Sequence, residues 1–181
     1  MSDPQPTPPA AAGPVADPVA DPVAGKASLL AVLGPLLAQL SGHDPKGGAE
    51  VAAALNRSHP VEDAAMQDIF AKAKAGVAAG WLTPREADGV RFGRLAKASA
   101  ETSGFSIDVV VMDGPGPGHT HPEGELDLCF SLEGAPTFDG RAPGWVVYGP
   151  GSWHVPTVRG GRMLILYFLP GGSIRFGPPE A

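Results

Sequence analysis

The residues best placed to do chemistry lie in Gly114-Pro-Gly-Pro-Gly-His-Thr-His-Pro-Glu-Gly-Glu-Leu-Asp-Leu-Cys-Phe130, which gathers His119, His121 and Glu125 within seven positions. Its Gly and Pro content excludes a helix. A second stretch, Gly144-Trp-Val-Val-Tyr-Gly-Pro-Gly-Ser-Trp-His154, ends an apolar run on one more histidine. Alternate side chains of an extended strand share a face, so His119 and His121 point the same way. Imidazole nitrogen and carboxylate oxygen suit Fe, Mn or Zn, and also Ni or Cu; the donor set alone does not choose. One divalent transition metal is therefore expected on His119, His121, Glu125 and His154, with positions left open for water or substrate. His-x-His alone would also fit a surface turn. The longer pattern, with Glu125 and then Gly-x-x-His, is far more specific.

These side chains need strands to hold them. Phe105–Met112, Leu126–Leu132, Trp145–Tyr148 and Arg162–Leu169 are β-rich and separated by Gly/Pro turns at the short spacing of an all-β barrel or sandwich. In the strand after Glu125, residues Glu125, Asp127, Cys129 and Ser131 share one face, and Leu126, Leu128, Phe130 and Leu132 the other. The polar face predicts a lined cavity. The apolar face must pack on a second sheet, on helices or on a second subunit, which makes a homodimer the expected assembly.

Before the strands the pattern is helical. Leu29, Leu30, Val32, Leu33, Leu36, Leu37 and Leu40 form a stripe ended by Ser41-Gly42. Gly48–Asn56 and Val61–Ala78 read as two more helices, and Thr83 as N-cap with Pro84 at the first helical position predicts a fourth. Val90–Ala96 reads as a first strand. Residues 1–25 repeat Pro-Val-Ala-Asp and carry too few large apolar side chains to offset ordering, so a disordered tail is expected. The expected organisation is thus tail 1–25, helical region 26–103 packed on the barrel, and β-barrel 104–181, with its first strand possible from 90.

The formal charge of −6 argues against nucleic acid or an anionic membrane as partner. Cys129 is the single cysteine, so no internal disulfide forms, which fits a reducing cytoplasm. The first 25 residues carry no Lys or Arg, and the apolar window Ala27–Leu40 is shorter than the ~20 residues that span a bilayer. A soluble cytoplasmic protein is expected.

Gly118-His-Thr-His-Pro-Glu-Gly-Glu125 resembles the first motif of the cupin superfamily, and Gly144–His154 resembles the second, which supplies the third histidine. The resemblance implies a jelly-roll barrel with a metal held by these side chains. The wider stretch from about Val90 to Gly172 is similar to the bacterial 4-hydroxylaminobenzoate lyases of nitroaromatic degradation. That likeness rests on Gly-Pro-Gly-Pro-Gly-His-Thr-His-Pro-x-Gly-Glu, Asp-Leu-Cys-Phe, Tyr-Gly-Pro-Gly-Ser-Trp-His-Val-Pro-Thr-Val and Leu-Tyr-Phe-Leu-Pro-Gly-Gly. It implies conversion of 4-hydroxylaminobenzoate and water to 3,4-dihydroxybenzoate (protocatechuate) and ammonia, in which a bound metal would act as Lewis acid and activate water.

Such a reaction needs proton carriers, aromatic walls and a cation for the substrate carboxylate. Glu123 is expected as a mobile acid/base, or else a solvated turn residue; Asp127 is expected to hold a ligand histidine in its tautomer. Trp145, Tyr148 and Trp153 are candidate walls or core residues. Arg91 and Arg94 are preferred over Arg159 and Arg162 as the carboxylate fork, with surface ion pairing the alternative. Cys129 reads as a core residue, and His43 and His59 as surface residues. Two other functions fit the motifs: an Fe(II) dioxygenase acting on an aromatic, and a cupin that binds a small ligand without turnover.

Overall fold

The computed structural model of the chain describes residues 21–178. Most of the expected tail, residues 1–20, lies outside them. Its last residues begin a helix: α1 spans Pro22–Leu40, with the Asp21 side chain accepting from the Val23 N–H (2.9 Å) and Pro22 opening the first turn. At 19 residues α1 is long and apolar enough to cross a membrane by length and composition. Its leucines are used otherwise, since Leu29, Leu33, Leu36, Leu37 and Leu40 are buried in the protein core. After a short 3-10 turn at Pro45–Gly47 come α2 (Ala49–Ser58) and α3 (Ala64–Ala78). Trp81 lies against α1 and α3, in a slot that only glycine leaves open. A Cβ at Gly76 would sit 2.5 Å from its ring, and one at Gly25 2.7 Å.

The helix expected at Thr83-Pro84 does not form. Arg85–Ala87 (β1) instead pairs with Val90–Ala96 (β2) in a hairpin turning at Asp88-Gly89, where both residues have positive φ (51° and 79°). Asp-Gly between short extended segments is a strong hairpin signal, and here it overrides the N-cap signal of Thr83. The helices thus end at Ala78, and the strands start well before residue 104.

The remaining strands are β3 (Phe105–Met112), β4 (His119–His121), β5 (Glu125–Phe138), β6 (Gly144–Tyr148), β7 (Ser152–His154), β8 (Val158–Pro170) and β9 (Arg175–Phe176). They form a six-stranded sheet in the order β1-β2-β3-β8-β5-β6 and a three-stranded sheet β7-β4-β9. The pairings are antiparallel throughout. The protein is mainly β, a jelly-roll barrel with three helices laid on its large sheet.

Strand alternation divides the large sheet between two cores. Ile107, Val109, Leu126, Leu128, Phe130, Leu164, Leu166 and Phe168 pack with the helix leucines, and Phe130 stacks on Phe70 of α3 with ring centroids 4.8 Å apart. The apolar face that raised the homodimer expectation is therefore covered by the chain's own helices, and that argument for a dimer falls away. The opposite face sends Met112, Cys129, Met163, Ile165, Tyr167 and Leu169 into the barrel interior. Asn56 of α2 joins the layers at the sheet edge: its Oδ1 accepts from the Trp145 N–H (2.8 Å) and its Nδ2 donates to the Trp145 carbonyl (3.0 Å).

Candidate metal centre

The cluster is assembled by three short pieces of backbone. On β4, His119 and His121 project to one side as alternate residues, and both are buried. The tight turn Pro122–Gly124 then leads into β5, whose first residue is Glu125. Gly124 has φ 87°, and a Cβ there would meet Pro45 and the Tyr148 carbonyl, so this position must be glycine. His154 ends β7 directly opposite His119 in the ladder. Ligand atoms of His119, His121, Glu125 and His154 all lie within 4.8 Å of one another.

Two of the rings are oriented by acceptors at their far nitrogens. His119 Nδ1 lies 2.9 Å from the Pro117 carbonyl, and His154 Nδ1 lies 2.7 Å from Asp139 Oδ2. A carbonyl can only accept, so His119 carries its proton on Nδ1 and presents a bare Nε2. That nitrogen faces Nε2 of His154 at 3.3 Å, so a metal cation could take a lone pair from each ring. Deeper in, His121 Nδ1 approaches Glu125 Oε2 at 3.0 Å but without hydrogen-bond alignment. Both nitrogens of His121 and both oxygens of Glu125 are buried with no hydrogen-bond partner. Each such atom costs about 1–3 kcal/mol if left unpaired. A divalent cation would engage one nitrogen of His121 and the Glu125 carboxylate together with His119 and His154, so the donors fit a metal; their mix of nitrogen and oxygen suits Fe, Mn or Zn without selecting one.

Burial sets the protonation states. It lowers His119 and His121 to about 4, leaving both neutral and able to ligate at neutral pH. Burial raises Glu125 to about 8. Asp127, fully buried on the same face of β5, is pushed well above the usual carboxylate range by burial and then by Glu125 beside it. The two carboxyls behave as one unit that holds protons at neutral pH.

A cavity of about 850 Å³ opens from His119 and Glu125. Phe92, Tyr167, Leu169 and Phe176 supply apolar walls, and Phe176 meets the His119 ring edge-on at 5.7 Å. Lys26, Arg85, Arg94 and Lys97 also line it, alongside two further acids, Asp88 and Asp108.

The other residues singled out in the sequence are distributed unevenly around this cavity. Arg94 lines it, held by Asp108 through Nε (2.6 Å) and Nη2 (2.9 Å). Arg91 does not line it, and donates to the Val77 carbonyl at 3.4 Å. Trp145 lies on the helix side of the sheet, its Nε1 donating to the His59 carbonyl (3.0 Å), because its ladder partner is the helix-facing Leu128. It is a core residue and not a cavity wall. Trp153 is part-exposed and donates to the Gly177 carbonyl, while Arg162 pairs with Asp113 and Glu133 at the surface. Glu123 is exposed on the turn and is not among the cavity-lining residues. Tyr148 is not a cavity wall either. Its ring lies against His154 (4.2 Å) and parallel to His121 (5.5 Å, 13°), and its hydroxyl donates to Asp139. Asp127, expected to hold a histidine, makes no hydrogen bond to one; the carboxylate against a cluster histidine is that of Asp139. Burial pushes the Asp139 carboxyl up, but the hydrogen bonds from His154, Tyr148 and Thr157 outweigh it and hold the group below its usual range.

Comparison with known proteins follows the same residues. The family model for PnbB, 4-hydroxylaminobenzoate lyase, matches residues 33–176, which include both sheets and the whole cluster. The chain belongs to that family. The 4-hydroxylaminobenzoate lyase of Pseudomonas putida is 31% identical over 151 residues, covering 74% of this chain and 86% of that protein. The 4-hydroxylaminobenzoate lyase of Nocardioides sp. (strain LMS-CY) is 41% identical over 113 residues, 57% of this chain and 67% of that one. Among solved structures, an RmlC-like cupin protein from Ralstonia eutropha JMP134 aligns with TM-score 0.38 at 14% identity, over 51% of this chain and 62% of that one. Within the lyase family the chain is thus matched across the cluster and all of the cavity lining except Lys26, and the match does not reach the first 32 residues.

Proposed function

We propose that this chain converts 4-hydroxylaminobenzoate and water to 3,4-dihydroxybenzoate and ammonia in the cavity beside His119 and Glu125. The observation that carries this reading is one cavity that reaches a buried His/Glu cluster through His119 and Glu125 and has aromatic walls and cations, in a chain of the lyase family. The reaction breaks an N–O bond, forms a ring C–O bond and releases ammonia, so it needs no external oxidant or reductant. One divalent metal held by His119, His121, Glu125 and His154 would supply Lewis acidity when bound.

The protein's own contributions are binding, orientation and proton storage. A volume of about 850 Å³ is ample for a single aromatic ring. Phe92 and Tyr167 offer flat walls, and the ring would lie between them with its hydroxylamino end toward His119. Arg94 spends two N–H groups on Asp108, which fixes its plane and leaves the Nη1/Nη2 edge for the substrate carboxylate. Arg85, which rests over the Phe92 ring at 5.3 Å, adds positive charge on the same side. With Glu125 given to the metal, Asp127, buried beside it, is the carboxyl left to hold a proton next to the site. The buried thiol of Cys129 suits a reducing compartment, which favours the cytoplasm.

Anaerobic incubation of the metal-analysed protein with 4-hydroxylaminobenzoate, following both products, tests the reading. Equal release of 3,4-dihydroxybenzoate and ammonia without oxygen is expected. Turnover that requires oxygen would assign a dioxygenase instead, and binding without turnover would leave a ligand-binding cupin.

A further inference from the structure

Asp139 lies in none of the sequence motifs, yet three donors converge on it. β5 ends at Phe138, and the chain reverses through Asp139 (φ 47°) and Gly140 (φ 78°) before Arg141 bridges back to Phe138. The reversal delivers the Asp139 carboxylate to the outer side of the histidine cluster. Oδ1 accepts from the Thr157 N–H at 2.7 Å, which stops the carboxylate from swinging. Oδ2 accepts from the Tyr148 hydroxyl and lies 2.7 Å from His154 Nδ1. The Tyr148 ring closes over the His154 ring at 4.2 Å. His154 is therefore constrained twice, in its plane by Tyr148 and in its rotation by Asp139.

We propose that Asp139 is a positioning residue that fixes His154 in its Nδ1–H tautomer and so presents a bare Nε2 to the cluster before any metal arrives. A neutral imidazole has one proton for two nitrogens, and the acceptor at one decides which end stays free. With no acceptor at Nδ1, the proton can settle on Nε2, which would then turn an N–H toward His119 3.3 Å away instead of a lone pair. The Pro117 carbonyl does the same for His119. Among the cluster histidines, only these two have such an acceptor. His121 lacks one at either nitrogen, so its orientation comes from packing between Tyr148 and the other rings. The inference rests on His154 as a ligand and is independent of which substrate is used.

The test uses the full chain, metal-free and labelled with 15N-histidine, at a pH where the rings are neutral. Long-range 1H–15N correlation reads each tautomer directly. His154 is expected as Nδ1–H in the wild type and in Tyr148→Phe, and as Nε2–H or a mixture in Asp139→Ala. Zn(II) affinity, measured by competition with a chromophoric chelator, is expected to fall about 10- to 100-fold in Asp139→Ala. In a His154→Ala background the same change should cost no further affinity, since Asp139 acts through that ring. If Asp139→Ala does not fold, Asp139→Leu carries the test, with the volume roughly kept and no acceptor left for Nδ1. An unchanged His154 tautomer in folded Asp139→Ala, or Zn(II) affinity within twofold of wild type in either variant, would overturn the proposal. Neither readout involves the substrate, so loss of the lyase reading would leave it standing.

Discussion

Loading the centre with a divalent metal at pH 7 should expel close to one proton, from Glu125. Burial places the Glu125 carboxyl at about 8 and His119 and His121 at about 4. At pH 7 a group titrating near 8 is about nine-tenths protonated, while the two imidazoles are almost wholly neutral. Of these three ligands only the carboxyl must therefore give up a proton to bind a cation. Metal affinity should rise about tenfold, or 1.4 kcal/mol, per pH unit between about pH 5 and 7, and level off above 8. Below pH 4 it should fall more steeply, as protons also compete for the imidazoles. Titration calorimetry in buffers of different ionisation enthalpy counts the protons, because the apparent enthalpy changes with the buffer in proportion to the number released. Glu125→Gln should remove the release and flatten the pH dependence while weakening binding. A wild-type protein that releases no proton at pH 7 and binds equally well at pH 5 and 7 would refute the reasoning, since Glu125 would then be ionised before metal arrives.

The same burial makes the metal-free protein sensitive to mild alkali. A carboxyl raised on folding stabilises the fold only while protonated, so stability should fall as pH rises from 6.5 towards 8, by up to about 1.4 kcal/mol per pH unit for Glu125, with Asp127 acting in the same direction. The histidines, lowered on folding, add no slope in that window, and thermal melts with and without metal would separate the effects. Gly76→Ala should destabilise by about 1–3 kcal/mol despite alanine's better helix propensity, because the new Cβ would meet Trp81 at 2.5 Å; denaturant unfolding reads the sign. Arg94→Met should lower kcat/KM for 4-hydroxylaminobenzoate by about 1.5–3 kcal/mol, the worth of a charge-assisted hydrogen bond, and leave hydroxylaminobenzene nearly unaffected. Equal losses on both substrates would place the carboxylate elsewhere in the cavity.

What could be read from the sequence follows from how far local spacing fixes geometry. His119 and His121 fall on one face because strands alternate, and Glu125 follows after the three-residue turn Pro122–Gly124. Alternation was also enough to separate Asp127 and Cys129 from Leu126 and Leu128 within β5. It could not place Trp145, whose face is inherited across the ladder from Leu128, and that register is a long-range fact. Asp139 escaped for the same reason. Its partner is 15 residues away, and its use depends on the φ of a turn that no motif marks. The Thr83-Pro84 helix failed where two valid local signals competed, and the Asp88-Gly89 hairpin won because β2 gave it a sheet to join.

The amide of Asn56 on the Trp145 backbone has a further consequence. β6 is the last strand of its sheet, and a strand in that position offers unpaired N–H and C=O groups to any other extended chain. Asn56 occupies one N–H and one C=O with its own side chain, as a neighbouring strand would. The helices therefore guard the barrel against templating on itself, as well as covering its greasy face. A barrel expressed without them would expose both surfaces together, and fibrous or amorphous self-association should precede any loss of strand structure.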